Sequence, residues 1–161
     1  MDGLVDWDNP ENNDFALAEE VTLRGGYERR PDLVLYLNGI AIGVIELKRG
    51  SVEVADGIRQ LETNQEEIFN KGFFTTVQLV FAGNDSQGLR YGTVTSEAKF
   101  FVEWKAQDGN QAAPTAGSML DQPRAQMCEK TRLLDFVRNF IIFDAGRKKV
   151  PRVHQFHGVK A

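Results

Sequence analysis

The alternation of apolar and polar positions breaks most sharply at Asn38-Gly39, where two long apolar runs meet. Asn-Gly between such runs is a strong hairpin signal, because both residues tolerate the left-handed backbone of a tight turn. The pattern predicts strands over 32–37 and 40–48, apolar on both faces like central strands covered from two sides. Asp32 opens the first strand. Glu46 and Lys48 close the second and, two apart, point to one side of it. Charges at the ends of strands this apolar are costly unless they are paired or bind a metal. A plain two-residue turn would set Asp32 opposite Ile45 and leave Glu46 on the other face. For the two carboxylates to share a ligand, the ribbon needs a three-residue connection with Gly39 left-handed, or a bulge within the pair.

The rest of the pattern reads in order. Residues 1–20 form an acidic, irregular lead-in, with Phe15 and Leu17 beginning an edge strand. Val21–Leu23 reads as a short strand and Gly25-Gly26 as a turn. Ser51 is placed to cap a helix over 53–70. Its buried stripe would be Val54, Ile58, Leu61, Ile68 and Phe69, with Gln60 and Asn64 four apart beside it. Further strands are expected over 77–82, 89–95 and 99–104. Residues 106–123 are small, polar and too long for an ordinary connection, which predicts a mobile surface loop. Helical spacing returns over 129–143, with Asp144-Ala145-Gly146 as its terminator, and a basic tail follows. Strands and helices mixed in this way predict an α/β fold over 21–145, with 146–161 opening a further segment.

Composition narrows the class. A chain of 161 residues, 42% hydrophobic and 26% charged, suits one domain with a real core. No apolar run approaches membrane-spanning length, so no membrane role is expected. The single Cys128 rules out an internal disulfide and fits a reducing cytoplasm. A net charge of −4 is unlike a self-sufficient DNA binder, which carries a basic face. Activity on DNA would therefore lean on other parts of a larger protein.

The charged ends of the hairpin suggest chemistry. Hydrolysis of a phosphodiester needs an activated water, charge relief on the phosphate and a proton for the leaving oxygen. Asp32, Glu46 and the backbone carbonyl of Leu47 are candidate oxygen ligands for Mg2+. Lys48 would orient the water or stabilise the phosphate. The plainer alternative is that Asp32 begins a strand and Glu46 and Lys48 form a surface pair of little energetic value.

Pro31-Asp32, followed fourteen residues later by Glu46-Leu47-Lys48, resembles the PD-(D/E)xK nuclease signature. The surrounding RRPDLVLYLNGIAIGVIELKR, with GIRQLETNQEEIFNKGFFTTVQLVFAGNDSQGLRYGT and LLDFVRNFIIFDAG, is similar to the nuclease domain of type I restriction R subunits. The likeness runs over roughly residues 20–160. It implies a restriction-endonuclease-like mixed β-sheet flanked by helices. It also implies Mg2+-dependent, sequence-nonspecific cleavage of double-stranded DNA, after ATP-driven translocation by a motor that lies outside this chain. Methyltransferase and specificity subunits are the implied partners. Asp32, Glu46 and Lys48 fall on the signature, and Gln60 on the glutamine of the family's Gln-xxx-Tyr motif, with Asn64 where that motif has tyrosine. Arg29, Arg30, Arg49 and Asn64 are candidate DNA contacts; ordinary strand-edge and helix-surface residues are the alternative. Val153–Val159 (VHQFHGV) resembles the opening of the family's motor, where Gln155 would contact adenine. No G-x-x-x-x-G-K-[ST] is present, so ATP use belongs to the full-length subunit. His154 and His157, three apart, are a weak metal signal. A second reading is a catalytically silent coupling or DNA-binding module, favoured by Asn64, the acidic charge and the lack of the family's upstream helices. A stand-alone resolvase-like nuclease is a third reading, against which the motor-like tail argues.

Overall fold

In a computed structural model, which describes residues 3–105 and 119–160, a six-stranded mixed sheet forms the centre of the fold. Its strands are β1 (Phe15–Glu19), β2 (Leu33–Leu37), β3 (Ile40–Leu47), β4 (Leu79–Asn84), β5 (Gly88–Gly92) and β6 (Val102–Glu103), neighbours in that order. Every adjacent pair is antiparallel except β3–β4, which is parallel. A parallel pair needs a crossover, and α1 (Val54–Asn64) supplies it. The fold is thus mixed α/β, consistent with a restriction-endonuclease-like architecture.

The ribbon of β2 and β3 uses the second of the two devices its sequence allowed. Asn38 and Gly39 both take positive φ, +49° and +79°, and close a two-residue turn between the pairs Leu37–Ile40 and Tyr36–Ala41. The next pair is Leu35 with Gly43, so Ile42 is an extra residue bulged out of the ladder. Gly43 lies close under Leu35: a Cβ there would stand 2.9 Å from Leu35 Cδ1 and 3.2 Å from its Cβ, so a larger residue would push Leu35 aside. Beyond the bulge, Val34 and Val44 face α1 while Leu33 and Ile45 face the opposite layer.

Each face of the sheet buries its own core. On one side Val54, Ile58 and Leu61 of α1 pack on Val44, Val80 and Ala82. On the other, Ile45, Phe81 and Tyr91 lie under the C-terminal helices. These are α2 (Asp121–Met127), α3 (Lys130–Asp135), a wide helical turn over Phe136–Phe140, and α4 (Val153–Lys160). Glu129 caps α3, accepting from the N–H groups of Thr131 and Arg132, both at 2.9 Å. The Tyr91 hydroxyl donates to the Pro151 carbonyl at 2.6 Å, and Phe156 of α4 meets Phe140 with ring centroids 4.6 Å apart. None of the described helices is long and apolar enough to cross a membrane.

Several boundaries differ from expectation. The first helix ends at Asn64, not near 70, because Asn70 turns back. Its N–H reaches the Asn64 carbonyl at 3.3 Å, its Oδ1 accepts from Gly25 and its Nδ2 donates to the Tyr27 carbonyl. Ile68 therefore lies exposed rather than on the buried stripe. Ser51 is not the cap; the Val54 N–H is met by Gln87 Oε1 at 2.8 Å. Val21–Leu23 contributes only a single bridge between Leu23 and Arg29. The strand expected over 99–104 is cut to Val102–Glu103 by a helical turn at Ala98–Phe100. Asp144-Ala145-Gly146 does not end a helix. It turns a hairpin of β7 (Ile142–Asp144) and β8 (Arg147–Lys149), with Ala145 and Gly146 at φ +48° and +77°. Of the expected 106–123 loop, 106–118 lie outside the described residues, and α2 already begins at Asp121.

Candidate active site

The register of β2 on β3 decides where the acidic side chains meet. Leu33 pairs with Ile45, and one step further the same register sets Asp32 opposite Glu46. The Asp32 carbonyl accepts from the Glu20 N–H at 2.9 Å, so its backbone faces β1. Asp32 and Glu46 thus occupy a non-hydrogen-bonded position, where cross-strand side chains approach most closely. Asp32 Oδ2 accepts from the Leu47 N–H at 2.6 Å. In a strand the carbonyl of a residue points the same way as its N–H, which turns the Leu47 carbonyl toward Asp32 as well.

Glu46 is 1% exposed. Its Oε1 accepts from Asn64 Nδ2 at 3.3 Å, and its Oε2 lies 4.0 Å from Lys48 Nζ with no hydrogen bond. Burial pushes the Glu46 carboxyl up to about 7, and the neighbouring Asp32 carboxylate adds to the rise while Lys48 opposes it. Lys48 Nζ donates to Gln60 Oε1 at 2.5 Å. The lysine stem runs beside Gly57 of α1, where a Cβ would stand 3.5 Å from Lys48 Cγ and 3.2 Å from Ala82 Cβ. Glycine at 57 lets the helix close on the sheet and deliver Gln60 to the ammonium.

This group is rich in oxygen acceptors and poor in donors. Two facing carboxylates, one with a buried oxygen that no donor meets, form a donor set that fits a hard divalent cation such as Mg2+. The fit rests on these two carboxylates and the main chain. Among the described residues no group of three or more His, Cys, Asp or Glu could hold a metal. His154 is exposed and His157 packs on Trp104 and Phe156, so they form no metal pair.

The other candidate residues are placed differently. Arg29 lies over the Phe69 ring, 3.9 Å from its centroid, and lines a shallow cleft with Arg59, Gln60, Thr63 and Asn64 beside the carboxylates. Arg59 and Thr63 escaped the sequence reading, although each neighbours Gln60 or Asn64 on α1. Arg30 is paired with Glu20 and also donates through Nε to the Glu20 carbonyl at 3.2 Å. Arg49 is exposed just beyond Lys48. Asn64 is wholly buried, turned to Glu46 rather than to the surface. Gln155 is exposed, and its Oε1 accepts from the Arg152 N–H at 2.8 Å, closing the first turn of α4.

Comparison with known proteins places this arrangement. Over 168 aligned residues the chain is 27% identical to the type I restriction enzyme HindI endonuclease subunit of Haemophilus influenzae, covering 97% of this chain and 16% of that protein. A putative type I restriction enzyme endonuclease subunit of Methanocaldococcus jannaschii, MjaIXP, is 27% identical across 98% of this chain and 17% of its own length. The EcoprrI endonuclease subunit of Escherichia coli is 24% identical over 89% of this chain and 46% of its own. The chain thus spans about a sixth of the length of the first two relatives. Residues 3–100 match the family described as the type I restriction enzyme R protein N terminus. With its mixed sheet and a crossover helix closing on two facing carboxylates, the chain belongs to that family of R protein N-terminal regions.

Proposed function

We propose that this chain is the endonuclease part of a type I restriction R subunit, cleaving double-stranded DNA with Mg2+ held by Asp32, Glu46 and the Leu47 carbonyl. The observation that carries the proposal is the direct opposition of Asp32 and Glu46 across the bulged ribbon, with Lys48 on the same face. The bound cation would lower the pKa of a water and relieve charge on the phosphate. The protein does the positioning. Gln60 tethers the Lys48 ammonium, which remains a fixed positive donor for a phosphate oxygen or for the attacking water. The α1 helix keeps bulk water from Glu46. Arg29 and Arg59 along the neighbouring cleft would meet backbone phosphates, which orient DNA without reading its sequence. Cleavage is accordingly nonspecific. In this reading target choice belongs to specificity and methyltransferase subunits, ATP-driven translocation to the rest of the R subunit, and the work takes place in the cytoplasm.

The test uses the assembled restriction enzyme. Glu46→Ala should abolish and Lys48→Ala severely slow cleavage of an unmodified plasmid while ATP hydrolysis continues; cleavage at the wild-type rate would end the proposal. Asn64, standing where the family motif has tyrosine, favours a second reading, a silent coupling module. Calorimetric titration with Mn2+ separates the two, since a silent module takes up no ion.

A further inference from the structure

The buried polar atoms that remain unpaired are concentrated at one point. Among the described residues, three buried side-chain atoms have no hydrogen-bond partner: Glu46 Oε2, Asn64 Oδ1 and His157 Nε2. The first two belong to side chains bonded to each other, through Asn64 Nδ2 and Glu46 Oε1. Asn64 is 0% exposed, so water does not meet its oxygen from bulk. A buried acceptor left unpaired is costly, and two on adjoining groups double the cost unless something satisfies both. Donors are scarce here. Lys48 Nζ, bonded to Gln60 Oε1, stands 4.0 Å from Glu46 Oε2, too far for a hydrogen bond, and the Leu47 N–H goes to Asp32.

We infer that Asn64 is part of the cation site: Nδ2 holds Glu46 in place, and Oδ1 offers a further oxygen to the ion or to its bound water. This rests on the nuclease reading above and deepens it. An amide oxygen is a suitable neutral ligand for a hard cation, and it adds no charge to a site that already holds two carboxylates. Asn64 lies one helical turn beyond Gln60. One face of α1 therefore serves both charged partners, Gln60 holding Lys48 and Asn64 holding Glu46.

The experiment is Mn2+ titration of this chain by calorimetry, alongside thermal melting in chelator. Asn64→Leu, of similar size and apolar, should fold and melt somewhat lower than the wild type without metal, because Glu46 Oε1 loses its Nδ2 donor. It should bind Mn2+ about tenfold or more weakly, the scale seen when groups supporting metal ligands are lost. Asn64→Asp, which keeps an oxygen but loses the Nδ2 donor to Glu46, should bind Mn2+ more tightly than the leucine variant. Equal affinity in the wild type and the leucine variant would overturn the inference while leaving the nuclease reading intact. So would an aspartate variant as weak as the leucine one. Absence of any Mn2+ binding by the wild type would instead remove the nuclease reading itself. Should leucine prevent folding, Asn64→Ala takes its place in the same comparison.

Discussion

Lys48 Nζ sits 2.5 Å from Gln60 Oε1, so the side chain one residue past the end of β3 is held by the crossover helix that follows. The tether takes one of three ammonium donors and leaves the others free toward Glu46 and substrate. In the assembled enzyme, Lys48→Ala should slow plasmid linearisation about 10²–10³-fold, the usual loss on removing a transition-state donor. Gln60→Ala leaves the charge and frees only its position, so the expected loss is about tenfold. Matching losses for the two variants would mean that Gln60 itself touches the reacting phosphate.

Glu46 gives the metal-free protein a defined pH dependence. Its carboxyl is raised from an ordinary 4.5 to about 7, so the fold favours the protonated form. The stabilisation is complete below the unfolded value and is lost as pH rises through about 7. In chelator, urea midpoints of the wild type should therefore fall between pH 5 and 7.5, a window set by these two values. Glu46→Gln should show no such fall and should be more stable at pH 8, by on the order of 2 kcal/mol. A divalent cation should restore the wild type and not the variant.

The α1 face of the sheet depends on Leu61, which is 0% exposed within the core that α1 shares with the sheet. Leu61→Ala should cost about 2–5 kcal/mol in chemical denaturation. Because the same helix carries Gln60 and Asn64, Mn2+ affinity should drop as well in the surviving folded protein.

The tail offers a test of where the domain ends. The sequence pattern put a boundary near 146, yet Phe156 sits among Phe136, Phe140 and Trp104, and Tyr91 is bonded to Pro151. Phe156→Ala should cost about 3–5 kcal/mol, as for other buried aromatics, and Tyr91→Phe about 1 kcal/mol. A Phe156→Ala protein that unfolds at the wild-type denaturant concentration would place the boundary at 146 after all.

Cys128 should be a slow thiol. Burial pushes it up to about 11, well above an ordinary cysteine. Iodoacetamide at pH 8 should label the native chain far more slowly than the urea-unfolded chain, with the native rate climbing steeply toward pH 11. Labelling at equal rates would show that the α2–α3 corner opens readily.

How much the sequence disclosed varies with the range of the interaction that decides each feature. Asn38-Gly39 announced the turn and the carboxylates announced the need for a bulge, because both follow from local conformation and strand alternation. What it left open was which residue bulges. The bulge falls at Ile42, next to the close approach of Gly43 and Leu35, a contact between strands that local sequence does not announce. The end of α1 was misplaced for a similar reason: Asn70 bonds to a loop 45 residues earlier, at Gly25. Asp144-Ala145-Gly146 was read as a stop and serves as a hairpin turn, since left-handed residues end helices and reverse strands alike. Asn64 was noticed for its spacing from Gln60. That it faces inward, to Glu46, depends on how far Gly57 lets the helix approach.

The bulge at Ile42 makes the ribbon a counter of odd and even. One added or deleted residue between Asp32 and Glu46 would send the two carboxylates to opposite sides of the sheet, although every side chain and the turn itself survived. Changes of length by two would be tolerated where changes by one would silence the chemistry. Drift in this segment is thereby confined to substitutions and paired insertions, and the spacing of the two acids becomes as much a constraint as their identity.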